Sequence, residues 1–140
     1  MIRADYETDV CRRLSEAEHV PFIEVSSEDW RPVVAGCHPN VDYWVRMNPG
    51  TVAVRGWVLF ASFGQSVGLT AHSVVQGPDG KRFDITPLAD ERPRKAMRFV
   101  EHLGDDRQFF EIVEQVRGPM GPTIICLEFC GEPLYSQLAD

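Results

Sequence analysis

Three residues that can together activate a cysteine nucleophile follow one another along this chain: Cys37, His72 and Asp84. A thiol attacks a carbonyl carbon as its thiolate, which forms when a nearby base accepts the proton. A carboxylate that holds the base in one orientation completes such a triad. The residue types therefore predict acyl-transfer chemistry at Cys37, on the condition that the fold brings the three side chains together.

The thiol is expected at the beginning of a helix. Pro39 suits the first turn of a helix, where its missing N–H costs no hydrogen bond, and Val41, Trp44 and Val45 then fall on one face. The positive end of the helix dipole favours a thiolate at this position. Taken alone, Cys37 has an ordinary alternative, namely a small apolar side chain buried in a helix-start turn.

The base and the carboxylate are predicted on the two strands of a hairpin. Pro-Asp-Gly is typical of a three-residue hairpin loop, and here that loop is 78–80, which places Gly77 opposite Lys81. In this register His72 and Asp84 are diagonal neighbours on one face, with Cβ atoms about 7 Å apart. A loop of two or four residues would put them on opposite faces. Their structural alternatives are a core histidine satisfied by a neighbour and a strand carboxylate solvated at a sheet edge.

The order of a helix-start Cys, a strand His and a strand Asp resembles that of papain-like and transglutaminase-like cysteine enzymes. Within that group the chain is similar to protein N-terminal glutamine amidohydrolases, which carry a Cys shortly before an Asn-Val-Trp-like helix, then a His-Val strand and an Asp strand. The resemblance covers residues 37 to 87, about a third of the chain. The matching residues are Cys37, Asn40, Val41 and Trp44, then His72-Ser73-Val74, then Asp84-Ile85-Thr86.

The resemblance implies a compact α+β domain of papain-like or transglutaminase-like type, with a helix-borne Cys packed against an antiparallel sheet. It implies that Cys37 is the nucleophile, His72 the base and Asp84 the residue that orients the base. The expected activity is that of a thiol hydrolase, an amidase or peptidase, or of an acyltransferase. Its substrate is expected to be a peptide or a small amide, and neither a cofactor nor a metal is expected.

Three further residues are predicted to bind the substrate. Papain-like proteases place a Gln shortly before the Cys as an oxyanion donor, whereas residues 30–36 contain none. His38 and Asn40 are therefore the candidates for that function. Trp57 is predicted to form a wall of the cleft, because the neighbouring Gly56 permits close approach of a backbone.

The pattern of apolar residues predicts the elements that position these side chains. We expect helices over 2–18, from Cys37 to about 47 and from Asp105 to about 117. Strands are expected over 52–60, 69–76, 81–86, 97–100 and 122–130, and 22–25 is either a short strand or an extended pass. This order indicates a single α+β domain over 1–140 with a largely antiparallel sheet.

The composition of the chain limits its expected binding partners and cellular compartment. The net charge of −7 argues against nucleic-acid binding, which needs clustered Lys and Arg, and the one local basic cluster (Arg92, Arg94, Lys95, Arg98) is interpreted as a solvated loop. No apolar run is long enough to span a membrane, and the N-terminus does not have the pattern of a signal peptide. The four cysteines show no CxxC spacing, so free thiols in a reducing, cytoplasmic setting are expected.

Two other classes of function remain open. A metal site could use Cys, His, Asp and Glu side chains, although their spacing matches no zinc motif; these are Cys37, His38, His72, Asp84, Glu101, His102, Cys126 and Cys130. The alternative to an enzyme is a non-catalytic protein- or peptide-binding domain of the same fold. Such a domain needs no titratable thiol, and this feature separates the two hypotheses.

Overall fold

The chain folds as an α+β domain with one antiparallel sheet, and the computed structural model describes residues 3–127. The helices are α1 (Arg3–Arg12), α2 (Cys37–Met47) and α3 (Asp106–Gln115). The strands are β1 (Val52–Phe63), β2 (Ser66–Gln76), β3 (Arg82–Phe83), β4 (Phe99–Glu101), β5 (Arg117–Gly118) and β6 (Gly121–Cys126). The order in the sheet is β4-β1-β2-β6-β5, and β3 pairs with β2. The predicted α+β class and antiparallel sheet are confirmed.

The central strand β1 is covered on both faces. Residues 54 to 59 are all buried, as expected for a strand that is apolar on both sides. On one face, α1 and α3 form the main core with Trp57 and Leu69, and a second cluster joins α2, through Val41, to Val75. On the opposite face, Val20, in a segment without regular structure, and Phe99 of β4 pack against Val74.

The hairpin between β2 and β3 has the predicted register. Val75 pairs with Phe83, Gln76 pairs with Arg82, and the Gly77 N–H donates to the Lys81 carbonyl at 2.8 Å. Gly80 closes the loop with a φ of +83°, a left-handed conformation that glycine adopts at low cost. The prediction of a three-residue loop is therefore confirmed, and with it the common face of residues 72 and 84.

The second strand of this hairpin is shorter than predicted. β3 ends at Phe83, because the backbone of Asp84 turns to another partner: its N–H donates to the Pro21 carbonyl at 2.8 Å, and its carbonyl accepts from the Ile23 N–H at 2.9 Å. Phe22 and Asp84 form a single parallel bridge. The segment 22–25 is thus an extended pass, and this pass anchors Asp84.

β2 has an opening along one edge. On that edge it pairs with β6 over residues 67–70 and with β3 over residues 75–76, and no described strand pairs with residues 71–74 there. The first turn of α2 meets β2 at this opening, where His38 hydrogen-bonds Ser73. Because His72 and Ser73 point to opposite faces of the strand, an element at the edge can reach both.

A buried hydrogen-bond chain joins α1 to the sheet and to the start of α3. The Trp57 indole donates to the Tyr6 hydroxyl at 2.8 Å, and Tyr6 Oη lies 2.7 Å from His102 Nδ1. His102 Nε2 lies 2.9 Å from the Asp105 carbonyl oxygen, to which it must donate. Tyr6 therefore accepts one hydrogen bond and donates the next.

We expect Tyr6→Phe to lower the free energy of unfolding by about 1–3 kcal/mol, because two buried polar groups lose their partner. Urea denaturation of both proteins measures the difference. Tyr43→Phe is the matched control, since it removes a half-buried hydroxyl for which the described residues provide no hydrogen bond. Equal effects of the two substitutions would contradict a contribution of the buried hydrogen bonds of Tyr6 to stability.

Cys11 and Cys126 form a disulfide that joins α1 to β6, with Cα atoms 5.5 Å apart. The expectation of free thiols is therefore wrong for these two residues. The sequence carries no local signal for the pairing, because 115 residues separate them and only the packing of α1 against β6 brings them together. Cys130, also expected to be free, lies outside the described residues, as does the end of the predicted strand 122–130.

Removal of the disulfide should lower stability by about 2–5 kcal/mol, because a cross-link that closes a long loop restricts the unfolded chain strongly. The measurement is urea denaturation of the parent and of the double variant Cys11→Ala, Cys126→Ala. The reduced parent serves as the control, since it lacks the cross-link but keeps both cysteine side chains in place. A double variant as stable as the parent would show that the link contributes nothing.

None of the helices in residues 3–127 combines the length and the apolar character needed to cross a membrane.

Candidate active site

His72 and Asp84 form a buried pair on the face of the sheet opposite the helices. His72 Nε2 lies 2.8 Å from Asp84 Oδ2, and the two residues are 7% and 3% exposed. The pair follows directly from the hairpin register, because residues 72 and 84 are diagonal neighbours. Since Nε2 is bound to the carboxylate, Nδ1 is the ring nitrogen that remains for another partner.

Asp84 is held by more than the histidine. Its Oδ1 accepts the Thr86 backbone N–H at 3.0 Å, and its Oδ2 also accepts from Arg94 Nη1 at 3.3 Å. Arg94 lies over the Phe22 ring, 4.2 Å from its centroid, and donates to the Thr86 carbonyl. The interpretation of its basic cluster as a solvated loop is thus wrong for Arg94, whose side chain is 12% exposed. No sequence signal distinguished Arg94 from its basic neighbours.

The thiol of Cys37 lies at the first residue of α2 and is half-buried. Burial by itself would raise its pKa. Hydrogen bonds from His38 and from His72, with smaller electrostatic contributions from the two rings, outweigh burial and lower the pKa to about 6. At neutral pH Cys37 is therefore mainly a thiolate, which is the nucleophilic form.

His72 shows the complementary shift. Burial alone would lower its pKa, but the hydrogen bonds and charges of Asp84 and of Cys37 raise it to about 10. An imidazolium between a carboxylate and a thiolate is stabilised on both sides. The structure thus places His72 between the other two residues of the predicted triad: its ring is bound to Asp84, and it lowers the pKa of the Cys37 thiol.

His38 provides a second imidazole next to the sulfur. Its Nδ1 lies 2.6 Å from Ser73 Oγ, and its ring packs edge-on against Phe109 and Phe110, with centroids 5.7 and 5.3 Å away. These contacts hold the ring in one orientation, with Nε2 as the nitrogen left for Cys37. Of the three residues predicted to bind substrate, His38 alone lies against the thiol with a polar group directed to it.

Ser73 connects His38 to a buried arginine. Arg55 Nη1 donates to Ser73 Oγ at 2.9 Å, and Arg55 Nη2 donates to Asp42 at 2.6 Å and to Asp106 at 3.2 Å. Arg55 is 7% exposed, in the middle of an apolar strand. A charged residue at such a position was the available sequence signal for this network, and the sequence analysis missed it.

Asn40 is not available to a substrate. Its amide nitrogen donates to the Val33 carbonyl at 2.9 Å and to Thr86 Oγ1 at 3.1 Å, and its carbonyl oxygen accepts from the Val33 N–H. Both amide hydrogens are used inside the protein, so the interpretation of Asn40 as an oxyanion donor is corrected. Asn40 instead holds the loop before Cys37, in which Ala35 has a left-handed φ of 64°, against Thr86 in the segment that follows β3.

Trp57 does not form the wall of a cleft. It is fully buried in the main core, and its indole N–H is bound to Tyr6. Gly56 permits a close approach, as predicted, but the approaching group belongs to the protein itself. A Cβ at position 56 would lie 2.3 Å from the Val100 carbonyl and 2.5 Å from the Phe99 ring. Glycine here allows β4 to pair with β1.

The possible metal ligands named from the sequence do not converge within residues 3–127. No group of three or more His, Cys, Asp or Glu side chains there has the arrangement to hold an ion. His102 is engaged with Tyr6 and Asp105, and Cys126 is in the disulfide.

The described arrangement is able to ionise a thiol, keep it close to a proton donor and hold that donor in place. These are the requirements for nucleophilic attack on a carbonyl followed by protonation of a leaving group. Comparison of the chain with protein-family models, with curated proteins and with solved structures gives no match.

Proposed function

We propose that this protein is a cysteine amidohydrolase or peptidase that cleaves an amide bond with Cys37, His72 and Asp84. The observation that carries the proposal is the buried contact of 2.8 Å between His72 Nε2 and Asp84, together with the lowering of the Cys37 pKa by His72. The resemblance of residues 37 to 87 to papain-like and transglutaminase-like enzymes supports the same assignment of functions.

In the acylation step the Cys37 thiolate attacks the carbonyl carbon of the amide. A C–S bond forms, and the electron pair of the C=O bond moves to oxygen. The backbone N–H groups of Cys37 and His38 have no acceptor within α2, because they belong to its first turn, and they are suited to stabilise this oxygen. The C–N bond then breaks, and the departing amine takes the proton of the His72 imidazolium.

In the second step the acyl group leaves Cys37. Neutral His72 accepts a proton from water as the water oxygen attacks the thioester. The carboxylic acid is released, and the Cys37 thiolate and the His72 imidazolium are restored. An amine in place of water would give acyl transfer instead of hydrolysis. Throughout, Asp84 keeps the His72 ring in the orientation that faces Cys37 with Nδ1.

The proposal is tested by trapping the acyl-enzyme. We expect p-nitrophenyl acetate to release a burst of about one nitrophenolate per chain and to leave an acetyl group on Cys37, identified by mass spectrometry of peptides. Cys37→Ala should show neither. Substrates are then sought among peptides with N-terminal Gln and among peptide amides, with release of ammonia or amine as the readout.

The alternative is a non-catalytic peptide-binding domain. Val33 and Val34, in the loop that leads to Cys37, are 60% and 51% exposed and offer apolar contacts to a peptide. A parent protein that acquires no acetyl group on Cys37, or labels equally in Cys37→Ala, would contradict the enzyme and favour this alternative.

A further inference from the structure

The second histidine at the sulfur has a geometry that defines its protonation. Ser73 is fully buried, and its hydroxyl oxygen accepts a hydrogen bond from Arg55 Nη1 at 2.9 Å. The hydroxyl hydrogen must also be satisfied in this buried position, and His38 Nδ1, at 2.6 Å, is the acceptor next to it. Ser73 thus donates to Nδ1, which places the proton of the His38 ring on Nε2.

Arg55 fixes one hydrogen bond of the Ser73 hydroxyl group. Arg55 can only donate, and it is held by Asp42 at 2.6 Å and by Asp106 through two contacts of 3.2 and 3.4 Å. Its guanidinium also lies over the Phe110 ring, 5.2 Å from the centroid. Arg55 occupies one lone pair of Ser73 Oγ, and among the described contacts His38 Nδ1 is the acceptor available to the serine hydrogen.

We propose that His38 is a second catalytic histidine, with its proton placed on Nε2 by the Arg55–Ser73 pair, and that this N–H donates a hydrogen bond to Cys37 Sγ and, during acyl transfer, to the oxygen of the attacked carbonyl. The tautomer of His38 and its hydrogen bond to Cys37 Sγ concern the resting protein. The hydrogen bond to the carbonyl oxygen rests on the proposed function. Arg55 and Ser73 are positioning residues, because they act through His38.

The two histidines then have different functions in the proposed reaction. His72, bound to Asp84, carries the charge and moves the proton. His38 makes a hydrogen bond to the thiolate and keeps its proton throughout, since no carboxylate contacts its ring among the described residues. When the C–S bond forms, negative charge passes from sulfur to the adjacent carbonyl oxygen, and in this proposal the Nε2–H group donates to that oxygen. His38 then replaces the Gln that is missing from residues 30–36.

The tautomer is tested directly by NMR of protein labelled with ¹⁵N at histidine. We expect the His38 ring at pH 7 to show a protonated Nε2 and an unprotonated Nδ1, and Ser73→Ala to lose this pattern. A ring protonated on Nδ1, or on both nitrogens, would overturn the proposal. This readout does not depend on enzymatic activity, so it decides the tautomer of His38 even if Cys37 forms no acyl-enzyme.

The oxyanion contact is tested by acylation of Cys37 with p-nitrophenyl acetate at a pH where the thiol is ionised in every variant, as checked by alkylation. His38→Phe fits beside Phe109 and Phe110 but has no donor, and it should slow acylation about 10²-fold. His38→Gln keeps an N–H at similar reach and should recover part of the rate. Acylation of His38→Phe at the parent rate would overturn the proposed hydrogen bond to the carbonyl oxygen. An unreactive parent would refute both this hydrogen bond and the proposed function.

Discussion

Replacing His72 by alanine should raise the pKa of the Cys37 thiol from about 6 towards the ordinary value of about 8.5, with the hydrogen bond from His38 still in place. The reason is that burial, which disfavours the thiolate, remains, while the hydrogen bond and the charge of the imidazolium are lost. The measurement is the rate of alkylation of Cys37 by iodoacetamide as a function of pH, with the modified residue identified by mass spectrometry. The midpoint of the profile reports the pKa.

The same variant should lose turnover by about 10³-fold or more, because no group remains to protonate the leaving amine or to activate water. With an ester substrate we expect slow acylation and an acyl-enzyme that persists. His19→Ala is the matched control, since it removes an exposed histidine from an irregular segment. An alkylation midpoint that does not move would refute the ion pair between Cys37 and His72.

The ion pair also sets a pH window for stability and activity. The pKa of His72 is raised on folding, so its stabilisation is complete below its unfolded value of 6.5 and is lost as pH rises through about 10. The pKa of Cys37 is lowered, so its stabilisation is complete above 9.0 and is lost as pH falls through about 6. Because each shift depends on the other group, the pair is formed between about pH 6 and about pH 10. The parent should therefore be reactive across this window.

Asp84→Asn should reduce turnover by about 10³–10⁴-fold while keeping the fold. The Asn carbonyl can still accept the Thr86 N–H, which leaves the amide NH₂ facing His72 Nε2 and Arg94. An amide donor on Nε2 forces the proton of a neutral His72 onto Nδ1, the nitrogen that faces Cys37. The ring then cannot accept a proton from the nucleophile, and the carboxylate that stabilised the imidazolium is gone.

Two measurements distinguish this effect from simple damage. Turnover of an ester or amide substrate reports the loss, and ¹⁵N NMR of the histidine rings reports the changed tautomer of His72. Asp29→Asn, in an exposed segment, is the control for the same chemical change. Retention of parent turnover by Asp84→Asn would refute the assigned function of the carboxylate.

The hairpin shows how far local sequence determines the site. Pro78, Asp79 and Gly80 set the length of the loop, the loop sets the register, and the register places His72 and Asp84 on one face. Each step depends on residues close in sequence and on the two-residue period of a strand, so it could be predicted from the sequence. The start of α2 at Cys37 follows from equally local signals, such as Pro39.

The sequence by itself therefore determined the approximate positions of most elements, the register of the hairpin and the choice of the three residues proposed as the triad. Only the tertiary structure decided that the start of α2 meets the opening along β2, which lets Cys37 reach His72 on one face and His38 reach Ser73 on the other. It also decided that Trp57 is buried, that Asn40 is used internally and that Cys11 meets Cys126. These outcomes depend on contacts between residues far apart in the chain, and periodicity and turn chemistry contain no information about such contacts.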